Sequence, residues 1–116
     1  MIERWRGQAK GRNRASAYRD LLWTVATAPG ADIKEQTGKA LATLDQNLAD
    51  AGADKTRLIS ATIYLADMAT KAAMDELWNA WIGPDSAHWP QRACVGAALA
   101  DGCLVEIVVV AARQRM

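Results

Sequence analysis

The chain of 116 residues is 51% hydrophobic and 23% charged, with a net charge of +1 at pH 7. That balance predicts one folded domain over residues 1–116 with a substantial core; it excludes a disordered chain, a disulfide scaffold and a protein that attracts nucleic acid through a global positive field. No apolar run reaches the roughly 18 residues of a membrane span, and MIERWRGQAKGR has no apolar signal region, so a cytoplasmic protein with no membrane partner is expected.

In chain order, residues 1–20 come first and are locally basic, with Arg4, Arg6, Lys10, Arg12, Arg14 and Arg19 against Glu3 and Asp20. Residues 1–12 read as a flexible, solvated leader running into an edge strand, or as a basic arm for RNA or a substrate anion. AYRDLLWTVATA is rich in β-favouring residues and is broken by Pro29-Gly30. DIKEQTGKALATLDQNLADAGA predicts a helix capped by Asp32, with Glu35 completing a capping box and Gly52 as the C′ residue. Its core stripe is Ile33, Thr37, Ala40, Leu41, Leu44 and Leu48.

KTRLISATIYLADM predicts a strand with Leu58, Ser60, Thr62 and Tyr64 on one face and Ile59, Ala61, Ile63 and Leu65 on the other. TKAAMDELWNAWIG predicts a second helix with an inner stripe of Ala73, Leu77, Ala80 and Trp81, ended by Gly83-Pro84. DSAHWP is a loop. RACVGAAL and CLVEIVVVAA then read as a strand hairpin about the Ala-Asp-Gly turn. The expected fold is α+β, a single mixed sheet with two helices on one face. The last strand is apolar on both faces, and two helices cover only one face of a sheet. A second copy of the chain is the simplest cover for the other.

Two ionisable residues, Arg92 and Glu106, stand in this apolar region. With a turn over residues 99–103, residue 96 pairs with 106 and 94 with 108. Arg92, Cys94, Gly96 and Glu106 then share one sheet face, with Gly96 leaving space opposite Glu106. The backbones of Arg92 and Glu106 lie roughly 13 Å apart in that register. One reading is a structural ion pair. The other is a gap for a small molecule, with Arg92 clamping a carboxylate and Glu106 holding a water near the reacting carbon. In the same hairpin Cys94 and Cys103 are roughly 16 Å apart, too far for a disulfide, so both are expected as free thiols. No Cys/His spacing suggests a metal. His88 is the sole histidine and has no triad partners, which makes it a loop residue before Arg92. Trp78 and Trp81 fit core or subunit contact, and Trp5 and Trp89 are candidates for the cleft rim.

The helix DIKEQTGKALATLDQNLADAGA, the strand end YLADM, and PQRACV and LVEIVVVAA together resemble the RidA (YjgF) family, closest to its YoaB-like branch, from about Leu21 to Ala112. The resemblance implies a chorismate-mutase-like homotrimer with ligand clefts between subunits and no cofactor. It implies a hydrolase, a deaminase converting reactive enamines and imines such as 2-aminoacrylate to 2-keto acids and ammonia. It implies that Arg92 binds the substrate carboxylate, that Cys94 offers backbone groups and that Glu106 positions the water. The chain departs from the family in two places. Gly11-Arg12-Asn13-Arg14 stands where G-P-Y-x-Q is usual, and Ala26-Thr27-Ala28 where S-G-Q is usual. Arg12 and Arg14 therefore join the candidate substrate-binding residues and favour a larger or more anionic ligand. Two other readings stand beside the enzyme: a non-catalytic trimer that binds a carboxylate-bearing metabolite, and RNA binding or cleavage through the basic leader.

Overall fold

The computed structural model describes residues 1–114. Six strands form one sheet: β1 Ile2–Trp5, β2 Ala15–Tyr18, β3 Leu21–Ala26, β4 Leu58–Leu65, β5 Gln91–Gly96 and β6 Val105–Ala112. Two helices, α1 Ile33–Asp50 and α2 Lys71–Ile82, pack on one face of it. The strand order is β1-β2-β3-β6-β4-β5. Only β4 and β5 pair in parallel; the other neighbours are antiparallel. The mixed sheet with two helices is therefore as the sequence predicts.

The hairpin of the last two strands does not form. β4 lies between β5 and β6, with Tyr64 opposite both Val95 and Glu106. The strand-helix-strand run from β4 through α2 to β5 makes those two strands parallel neighbours, since a crossover helix joins parallel strands side by side. The outer edge of β5 stays open, and between β3 and β4 the last strand gains a partner on each of its edges where a hairpin with β5 would give it one. β6 instead enters between β3 and β4. Its odd-numbered residues from Val105 to Ala111 are fully buried under the helices, and its even-numbered ones, from Glu106 to Ala112, are half-buried on the uncovered face.

Each element shows local causes. Asp32 accepts a hydrogen bond from the Glu35 N–H at 2.9 Å, as a cap should. The Glu35 carboxylate reaches one residue further back than the capping-box pattern, accepting from the Ala31 N–H at 2.9 Å. Gly52 follows the C-cap Ala51 with φ of +86°, the left-handed conformation expected of C′. The α1 stripe buries as predicted at Thr37, Ala40, Leu41, Leu44 and Leu48. α2 is rotated from its predicted phase: Met74, Trp78 and Ile82 are buried, while Leu77 and Trp81 are half-buried and Ala80 is exposed. On β4 an irregularity between Leu58 and Ser60 sends Leu58 inward with Ala61, Ile63 and Leu65 and leaves Ile59 outside.

Two buried polar groups fix the frame. The fully buried Gln36 donates to the carbonyls of Gly30 and Gly102 at 3.0 and 2.8 Å, and its Oε1 accepts the Leu104 N–H at 2.8 Å. It thus ties the start of α1 to the turn that delivers β6. At the other end of β6, the buried Arg113 pairs with Glu3, donates to the Arg19 carbonyl at 2.8 Å and stacks 5.9 Å from the Trp5 ring. Its hydrogen bond to Glu3 opposes the cost of burial and holds its pKa above the ordinary arginine value.

Replacing Gln36 by Leu is expected to cost about 2–4 kcal/mol, since it strands two carbonyls and an N–H without partners. Thr43→Ala on the exposed side of α1 should change stability by no more than about 0.5 kcal/mol. Urea unfolding followed by circular dichroism checks both.

Candidate functional site

Arg92 and Cys94 lie opposite Ala61 and Ile63, so their side chains point to the helix-covered face. Glu106 lies opposite Tyr64 and points to the uncovered face. The shared face expected from the sequence is therefore corrected, and with it the pairing of 96 with 106. Gly96 is opposite Leu65, and a side chain built there would meet Met68 at 3.0 Å, so it leaves no gap beside Glu106. Nor do Arg92 and Glu106 form an ion pair. Arg92 is level with Val109 across β4. Two strand spacings and three residues of rise separate it from Glu106, roughly 14 Å of backbone, on opposite faces.

What holds Arg92 was not visible in the sequence. Its Nη2 donates to Asp75 on α2 at 2.8 Å, and its guanidinium sits 5.6 Å from the Trp78 ring centroid. Asp75 also accepts from Lys71 at 2.7 Å, one helical turn earlier. Burial pushes the Asp75 carboxyl up, but hydrogen bonds and charge from Lys71 and Arg92 outweigh it and hold the pKa below the ordinary carboxylate value. Two cations thus share one carboxylate, which leaves a net charge of about +1 at the edge of the sheet, suited to a further anion. Asp75 and Trp78, three residues apart on α2, could have been read as facing a strand cation, but only once α2 and β5 were known to pack together.

Since β5 is an edge strand, one side of its backbone at Cys94 has no strand neighbour among the described residues. Both cysteines are free thiols, as expected. An apolar cleft of about 630 Å³ lies beside Arg92, lined by Trp78, Ile82, Pro84, Trp89 and Pro90. Trp5 lies under Arg113 instead, away from this cleft. His88 is half-buried in the loop before β5, 3.9 Å from Asp85.

Glu106 lines a different cleft, of about 850 Å³, with Arg12, Asn13, Arg14, Thr27 and Asn47. The pairing of β3 with β6 ends at Ala26 and Ile107, so Glu106 lies just past the point where β3 leaves the sheet. The two arginines here differ. Arg14 donates to the Asn47 Oδ1 at 3.0 Å and the Arg6 carbonyl at 3.1 Å, and pairs with Asp50 at 2.8 Å. It holds the leader loop onto α1. Arg12 is exposed, and no hydrogen bond or ion pair engages it among the described residues. Within the described residues no group of three or more His, Cys, Asp or Glu could hold a metal. No helix among them is long and apolar enough to cross a membrane.

Fold and site together define a class of small α+β protein: a sheet helix-covered on one face, a cationic cluster near one edge and a cleft lined by Glu106 and two arginines elsewhere on the chain. Comparison with known proteins then supplies the family. A family model described as Endoribonuclease L-PSP matches residues 24–113. A RutC family protein of Haemophilus ducreyi is 40% identical over 89 residues, covering 76% of this chain and 74% of its own. The RutC family protein YoaB of Escherichia coli is 42% identical over 83 residues, 71% of each chain. The crystal structure of a YjgF family member from Neisseria meningitidis superposes with a TM-score of 0.90 at 34% identity, covering 100% of this chain and 98% of that one. The chain belongs to the RidA (YjgF) family and is YoaB-like.

The Asp75 arrangement has a pH signature. Its lowered pKa means that its contribution to stability is present above the unfolded carboxyl value near pH 4 and is lost as pH falls through the lower folded value. Unfolding midpoints of the parent and Asp75→Asn should therefore differ most at neutral pH and converge as the pH falls through the lowered folded value. A gap that stays constant down the titration would contradict the pairing.

Proposed function

We propose that the protein hydrolyses reactive 2-imino and 2-enamino acids to 2-keto acids and ammonia at clefts between copies of the chain, as a homotrimer. Arg92 of one copy binds the substrate carboxylate, helped by the backbone at Cys94. Glu106 of the next copy positions the attacking water and carries its proton. The observation that supports this most is the separation of these two groups onto opposite faces of one sheet. No small molecule spans roughly 14 Å through a sheet, so a site using both groups needs two chains.

The uncovered face supports the same reading. Leu21, Trp23 and Val95 on it are 40%, 40% and 43% exposed in the isolated chain, and Val108 and Val110 lie between them. Such a face is suited to burial against another copy. The chemistry needs only an anchor and a proton carrier. The water oxygen bonds to the imine carbon, its protons pass by way of Glu106 to the nitrogen, the C–N bond breaks and ammonia leaves. A trimer that binds keto acids without turnover would use the same anchor, and the rate assay separates the two.

The test generates imino acids in place with an amino-acid oxidase and times keto-acid release. Arg92→Ala and Glu106→Gln should each lower kcat/KM at least about a hundredfold. Unfolding the two inactive variants together and refolding them should return about one quarter of the parent activity, because each mixed trimer rebuilds one of its three interfaces with both groups intact. No recovery on mixing, with refolded parent as control, counts against the shared site.

A further inference from the structure

We propose that Arg12 is a specificity residue that receives a second acidic group on the substrate, making 2-imino dicarboxylates the preferred class. This rests on the imine-hydrolysis reading above. Two guanidinium groups line the cleft with Glu106. Arg14 is held through Nε and Nη1 by the Arg6 carbonyl, Asn47 and Asp50, and the Asp50 carboxylate already balances its charge. Arg12 has no such commitment among the described residues. It follows Gly11, whose φ of +86° turns the leader at this point, and both Arg12 and Asn13 line the cleft.

The remaining lining supports a polar substituent. Asn13, Thr27, Thr43 and Asn47 border the same space. By contrast, the cleft beside Arg92 is walled by tryptophan, proline and isoleucine. At about 850 Å³, the Glu106 cleft is much larger than a three-carbon acid needs. With the 2-carboxylate on Arg92 of the neighbouring copy and the imine carbon at Glu106, the substrate chain runs on into this polar space. A terminal carboxylate there meets the planar donor pair of Arg12. The reaction is unchanged: water adds to the imine carbon, the C–N bond breaks, and a 2-keto dicarboxylate and ammonia are released.

The test compares imines made from aspartate or glutamate with those made from alanine or leucine, as a ratio of kcat/KM within each variant. The parent should favour the dicarboxylates, Arg12→Gln should lower that ratio roughly tenfold, and Arg12→Lys should keep most of it. A ratio equal in the parent and Arg12→Gln overturns the proposal. If the parent hydrolyses no imine at all, the turnover reading fails and calorimetry decides Arg12 separately. Tighter binding of 2-oxoglutarate than 2-oxopentanoate, lost in Arg12→Gln, supports the dicarboxylate site. Equal binding of the two acids, or a preference that survives Arg12→Gln, overturns it.

Discussion

The structure depends on β6 being paired along both of its edges. Its antiparallel ladders to β3 and β4 place the most apolar strand of the chain at the middle of the sheet. From that position its odd-numbered residues form the floor of the core, against which Leu44 and Leu48 of α1 and Met74 of α2 are buried. The same placement decides where the chemistry falls. A residue inserted at even register on β6 cannot reach the helices, so Glu106 faces outward. Arg92, two strands away and at the opposite register, faces inward.

Much of this was legible in the sequence. α1 carried its own start and stop signals in Asp32 and Gly52, and its stripe of apolar residues needed only a helical period. The content of the sheet and the apolar character of β6 on both faces also followed from pattern alone. Strand order did not. A turn such as Ala-Asp-Gly specifies a change of direction, not a neighbour, and residues 97–104 are long enough to carry the chain past β4. The crossover sets β4 beside β5, but β6 takes the inner edge of β4 instead of the outer edge of β5 because it gains a second ladder there with β3, an effect of tertiary packing.

The candidate site was legible as residues and not as geometry. Arg92, Cys94 and Glu106 stood out because charge or sulfur in an apolar strand calls for a reason. Their mutual placement inherited the wrong strand order. Lys71 and Asp75 were hidden because an i,i+4 pair on a helix reads as ordinary surface charge until a strand arginine is brought against it. The distinction between Arg12 and Arg14 was equally hidden. Two arginines in one short loop are equivalent on paper, and only the position of Asn47 and Asp50 on α1 separates an anchoring arginine from an available one.

The central strand is also the last strand in chain order, and this constrains how the molecule is made. While the ribosome is still short of residue 105, β3 and β4 have been synthesised without the neighbour they share, and both leave unpaired hydrogen-bonding edges. The Arg113–Glu3 contact, which closes a loop over almost the whole sequence, forms later still. Nascent helices and the β1–β2–β3 meander can appear early, but the complete sheet cannot. The growing polypeptide must be kept from pairing with other chains until β6 has been translated.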